Sequence, residues 1–198
     1  MRGQIPKILT REEVHNLLRV PNVRCPTGLR NRVMMETMYR AGLRVSEVCA
    51  LHYSEVHLDP DAQWLEVRES KGGNCRNVPC GPLLVEWLRD WAKTSEDFRA
   101  EWFFCTLDGG QVSTNYVYQM TKRSAARAGI ALRRVSPHVL RHTYATELLN
   151  DPNVRFTLRD VQELLGHKNL QTTEIYLHVN DQDLADKMHQ RDAMPRVN

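Results

Sequence analysis

The 198-residue chain has no uninterrupted apolar run of about 18 residues, the length a membrane-spanning helix requires. Met1 is not followed by the charged-then-apolar pattern of a secretion signal, so a cytoplasmic protein is expected. Its five cysteines, Cys25, Cys49, Cys75, Cys80 and Cys105, are odd in number and contain no C-x-x-C pair. Reduced thiols are therefore favoured over a disulfide framework or a zinc site. Internal repeats and low-complexity linkers are also missing. The length suits one domain that buries its own core without staples. With 27 basic and 24 acidic residues, the net charge of +3 is too small to argue a polyanionic partner by itself.

A local absence says more. From Gly109 to Thr146 there is no Asp or Glu, yet the stretch holds Lys122, Arg123, Arg127, Arg133, Arg134 and Arg141, with His138 and His142 as further donors. Such a segment builds a positive field suited to a polyanion. On charge alone, a solvated basic helix face explains it equally well. Tyr116, Tyr118 and Tyr144 read as core rather than as stacking platforms.

The pattern predicts a mostly helical domain with one small antiparallel sheet. Thr10 with Glu13 forms a capping box opening a helix to about Arg19. PNVRCPTG reads as a loop, Leu29 to Ala41 as a second helix ended by Gly42, and VSEVCAL as a short third. Strands are expected near Tyr53–Leu58, Gln63–Glu69 and Cys75–Val78, the last two joined by a Gly72-Gly73 turn. Leu83 to Lys93 is helical, with Trp87 and Trp91 in the core. Ser113 caps a basic helix stopped at Gly129. Pro137 opens a helix at its first position, and Thr157 opens another that Gly166 ends.

Chemistry concentrates in a few places. His138 and Arg141 lie one turn apart near a helix N-terminus, where backbone N–H groups and the helix dipole favour an anion. A planar guanidinium matches two phosphate oxygens. Arg44 has Glu47 three residues on to orient it, although a lone pair at that spacing is usually a surface contact worth under ~1 kcal/mol. Lys71 falls in the hairpin turn, where a lysine is normally just solvated. His167 follows the helix-ending Gly166 as a cap or donor, and Tyr176 lies nine positions further on.

The ordered set Arg44, Lys71, His138-x-x-Arg141, Leu165-Gly166-His167 and Tyr176 resembles the catalytic signature of the tyrosine recombinases, or phage integrases. The flanking words GLRVSEVCAL, SPHVLRHTYAT and LGHKNLQTTEIYLHV match as well, closest to Xer-like and transposon or integron integrases. The resemblance covers residues 8–179, and none of the six positions departs from it.

It implies the tyrosine recombinase catalytic-domain fold, mainly α with a three-stranded antiparallel sheet bearing Lys71. Residues 1–198 are then one catalytic domain, with a linker-like start over 1–9; the family's N-terminal core-binding domain is expected to be absent. The tail over 181–198 either docks on a neighbouring protomer or packs on its own domain. The implied partner is double-stranded DNA, bound by a nucleoid-associated protein that is a monomer alone and an oligomer, up to a tetramer, on DNA.

The implied reaction is strand exchange through a 3′-phosphotyrosyl intermediate on Tyr176, with no metal or nucleotide cofactor. Lys71 protonates the leaving 5′ oxygen, His138 assists proton transfer, and His167 donates to a phosphate oxygen. Arg44 and Arg141 bind the phosphate, supported by Glu47 and His142, and Lys122, Arg123, Arg127, Arg133 and Arg134 contact DNA. Two alternatives stand beside this. One is type IB topoisomerase-like nicking and resealing; the other is a DNA-binding regulator, which would have no need of a tyrosine at that spacing. A metal-dependent relaxase would want a His-hydrophobic-His pair, which the sequence lacks.

Overall fold

Thr10 opens the first helix as its sequence demands: its hydroxyl accepts from the Glu13 amide at 3.1 Å, and its own amide donates to the Glu13 carboxylate at 2.9 Å. This is the start of a computed structural model that describes residues 8–68, 75–98, 100–131 and 135–166. Helix α1 (Arg11–Arg19) turns Val14, Leu17 and Leu18 inward. Helix α2 (Pro26–Arg40) begins three residues before the expected Leu29. The reason is Pro26: at the first helical position its missing N–H costs nothing and its fixed φ already suits the helix.

Helix α2 is the centre of the molecule. Leu29, Val33, Met34, Met35 and Met38 are all buried, and the helix packs against α1, α3 (Val45–Ala50), α4 (Pro82–Ser95), α5 (Thr114–Arg127) and α6 (Pro137–Leu149). Trp91 of α4 is fully buried, and its indole N–H donates to the Phe103 carbonyl at 2.7 Å, satisfying its one polar group. Trp87, expected in the core, is only half-buried and carries the Arg32 guanidinium over its ring at 4.8 Å.

The sheet has the order β1 (Val56–Asp59), β2 (Ala62–Arg68), β3 (Cys75–Pro79), with both pairs antiparallel. The first strand starts later than expected. Residues Tyr53–Glu55 form a 3-10 turn, because the Glu55 carboxylate turns back to accept from the His52 amide at 2.8 Å. In the β2–β3 register Leu65 faces Val78 and Val67 faces Arg76, so Arg76 shares the inward face with three buried apolar residues. The expected Gly72-Gly73 turn lies outside the described residues.

Helix α7 (Leu158–Leu165) packs on both α6 and β3. Val161 and Leu165 meet Ala145 in a small second cluster that Tyr144, Leu148 and Phe156 surround. This contact brings the end of α7 to the start of α3 and to the middle of β3. All five cysteines are thiols, three of them buried. Among the described residues no helix is long and apolar enough to cross a membrane.

Candidate active site

One buried carboxylate organises the site. Glu47, in the first turn of α3, is 6% exposed. Its Oε2 accepts from the Arg44 backbone amide at 2.7 Å, and its Oε1 accepts from Arg44 Nη1 at 2.6 Å. Arg76 reaches in from β3 with both terminal nitrogens, Nη1 to Oε1 and Nη2 to Oε2, each at 2.9 Å. Arg141 Nη1, from α6, stands 3.7 Å from Oε2. The Arg44–Glu47 pair is thus a buried hub, not the surface contact that such a spacing usually means. Burial raises the Glu47 pKa and is the largest single influence on it. The bonds and charge of Arg76, the Arg44 amide and the Arg141 charge together outweigh that and hold it at about 2.

The same three arginines cap the end of α7. Arg76 Nε donates to the Leu164 carbonyl at 3.0 Å, Arg141 Nη2 to the Leu165 carbonyl at 2.7 Å, and Arg44 Nη2 to the Gly166 carbonyl at 3.3 Å. Carbonyls at a helix C-terminus lack intrahelical donors and carry the negative end of the dipole, so cations suit them. Arg141 Nη1 also donates to the Gly42 carbonyl. Gly42 and Gly166 have φ of +64° and +65°, the left-handed conformation that ends a helix. Neither tolerates a side chain: a Cβ would sit 2.6 Å from the Tyr144 ring at Gly42 and 2.9 Å from Arg76 Nη1 at Gly166.

Among the described residues, three guanidiniums around one carboxylate give this point an excess of positive charge. Arg141 is buried, whereas the Arg44 side chain keeps 34% of its surface. A preorganised, partly exposed excess of positive charge is a place to hold a phosphate and the charge that develops on it during transfer.

The remaining expected residues divide. His138 is exposed in the first turn of α6, one turn before Arg141. His142 is half-buried, and its pKa is lowered by that burial, then by His138 and Arg141, so it stays neutral near pH 7. Lys122 is half-buried beneath Tyr118, its ammonium 5.7 Å from the ring centroid, while Arg123 and Arg127 are exposed one turn apart on α5. Tyr118, expected in the core, is 41% exposed on this basic helix. Tyr116 is half-buried, with Arg30 over its ring at 5.1 Å. Lys71, Arg133, Arg134, His167 and Tyr176 lie outside the described residues.

Sequence reasoning missed Arg76. The signal was present in the alternation of β3: two residues from the inward Val78, Arg76 also had to point inward, and an inward arginine requires a buried carboxylate.

The described residues thus form a mainly helical domain with a three-stranded antiparallel sheet, in which helices and sheet bring three arginines to one buried carboxylate. Residues 7–183 match the phage integrase family. The chain belongs to that family.

Tyrosine recombinase XerC of Xanthomonas campestris pv. campestris (strain B100) is 38% identical over 182 residues, 92% of this chain and 54% of that protein. The chain thus spans about half the length of the curated relatives it matches. Among solved structures, XerA recombinase superposes with a TM-score of 0.79 at 28% identity, covering 98% of this chain and 67% of the other. The XerH site-specific recombinase, bound to palindromic difH substrate after cleavage, gives 0.79 at 26% identity over 93% and 53%. These likenesses establish the tyrosine recombinase catalytic-domain fold.

Proposed function

We propose that the chain cleaves and rejoins double-stranded DNA as the catalytic part of a site-specific recombinase, with Tyr176 as nucleophile. The observation that carries this is the convergence of Arg44 and Arg141, from sequence-distant helices, on one buried carboxylate. The relatives add weight: XerH was solved with its DNA substrate in a post-cleavage complex.

In this reading Arg44 and Arg141 bind the scissile phosphate. The Tyr176 oxygen forms a bond to phosphorus as the bond to the 5′ oxygen breaks, leaving a 3′-phosphotyrosyl ester. A free tyrosine has a pKa near ~10 and is a poor nucleophile until deprotonated. Two guanidiniums on the scissile phosphate favour an attacking phenolate and neutralise the transition state, each worth about 3 kcal/mol by analogy with an oxyanion-hole donor. His138 assists removal of the phenolic proton, Lys71 supplies one to the departing 5′ oxygen, and His167 donates to a phosphate oxygen. Because the ester conserves the bond energy, religation to a new 5′ hydroxyl needs no ATP.

Helix α5 packs against α3 and α6, the helices that carry Arg44 and Arg141. Lys122, Arg123 and Arg127 therefore extend the positive surface from the site, and Arg133 and Arg134 continue it in sequence. DNA contact along this helix, monomeric protein in free solution, tail-mediated oligomers on DNA and a cytoplasmic, nucleoid-associated location complete the proposal.

A nicked suicide duplex tests it. The chain is expected to form a covalent protein–DNA adduct that Tyr176→Phe abolishes; an adduct surviving that change overturns the nucleophile assignment. Supercoil relaxation without strand transfer between two sites would favour the topoisomerase reading. Binding with no adduct on any duplex would favour a regulator.

A further inference from the structure

Arg76 belongs to none of the motifs that carry the proposed reaction, yet its side chain gives Glu47 two hydrogen bonds where the Arg44 side chain gives one. All three of its guanidinium nitrogens are engaged by protein: two by Glu47 and one by the Leu164 carbonyl. Its side chain is 13% exposed and lies directly under Gly166, where a Cβ would strike it. An arginine so committed does not reach a phosphate. Its chemistry is directed at the groups that hold the phosphate-binding pair.

Resting on the recombinase reading above, we propose that Arg76 is a positioning residue that acts on the scissile phosphate through Glu47. Its fork holds both carboxylate oxygens, so that Glu47 orients Arg44 through a backbone and a side-chain bond without drawing down the positive charge of Arg44 and Arg141. Its Nε fixes the α7 carbonyl next to those taken by Arg141 and Arg44, locking the last turn before His167 to the hub. Strand β3 is thereby coupled to the two helices that bind phosphate. The groups facing Glu47 are Arg44 from its own helix, Arg76 from β3 and Arg141 from α6.

The test uses the full chain with a nicked suicide duplex, measuring duplex affinity and the single-turnover adduct rate at saturating DNA. R76M is expected to slow the adduct step about 10- to 100-fold, as loss of a supporting partner behind an active-site ligand does. Duplex Kd should stay within about threefold, because Arg76 touches no DNA. R76K, which keeps the charge and loses the fork, should recover only part of the rate. In an E47Q background the further loss from R76M should shrink to about twofold, since both changes remove one coupled unit. A loss expressed in Kd, an equal loss with and without E47Q, or a parental R76M rate overturns the proposal. Should R76M fail to fold, a parental rate for R76K overturns it equally. A parent chain that forms no adduct defeats the recombinase reading itself, whereas a parental adduct with undiminished R76M defeats only the role of Arg76.

Discussion

Two buried glutamates, eleven residues apart, are balanced in opposite ways. Glu36, inside α2, is fully buried between Arg32 at 2.7 Å and Arg40 at 2.6 Å, both one turn away on its own helix. Those arginines finish on protein: Arg32 donates to the Leu18 carbonyl and lies over Trp87, and Arg40 lies over Tyr39. Glu47 takes one partner from its own turn and the others from β3 and α6. The first arrangement closes locally and braces a helix in the core. The second gathers charge from three elements to one partly exposed point, which a helix alone has no reason to do. Local balance marks structure, and convergence from afar marks a site.

The sharpest way to break this contrast is to remove one member of each cluster. In the proposed reaction Arg44→Gln takes away a transition-state donor and should slow adduct formation about 100- to 1,000-fold. Its half-exposed position should spare most of the stability. Glu36→Gln should do the reverse, costing about 2 kcal/mol by taking a buried carboxylate partner from two half-buried guanidiniums. Its adduct rate should stay at the parental value at temperatures where the protein remains folded. Chemical denaturation and single-turnover assays on both variants check the pair. Equal catalytic losses would erase the distinction.

Acid sharpens it further. The Glu47 pKa drops from 4.5 to about 2 on folding, so the unfolded chain takes up that proton first as pH falls. Its stabilisation is whole above pH 4.5 and is lost as pH drops towards about 2, on the order of 3 kcal/mol in total. Denaturation midpoints across that window should fall less steeply in Glu47→Gln than in the parent. His142 works at milder pH with the same slope: a depressed pKa means the unfolded state binds protons more readily, so stability declines as pH falls through about 6.5.

The smallest expected effect lies on α5. Arg123→Gln or Arg127→Gln should reduce the slope of log affinity against log salt by about 1 each, with no change in adduct rate at saturating DNA. An unchanged slope removes that residue from the DNA-contacting surface.

Much of this was written in local sequence. The Thr10 capping box, the Pro137 helix start and the Gly166 stop each depend on a few neighbouring residues, and the fold follows them. Where a local competitor intervened, reading failed: Pro26 extended α2, and the Glu55 carboxylate turned the start of an expected strand into a 3-10 turn. At the site the motifs pointed to Arg44, Glu47 and Arg141, but the burial of Glu47 and its partner on β3 cannot be read from an i,i+3 pair. Arg76 was overlooked although its strand parity pointed inward.

By itself, then, the sequence determined the helical framework, the small sheet, the family and the two motif arginines Arg44 and Arg141, since capping, periodicity and motif order are properties of adjacent residues. Only the tertiary structure decided that Glu47 is a hub rather than a surface partner. It alone showed that Arg76 belongs to that hub, and that three arginines from three elements take the three successive carbonyls closing α7. Those facts depend on the packing of α7 against β3 and α6. A charge acquires its role there from what the fold leaves around it once water is removed.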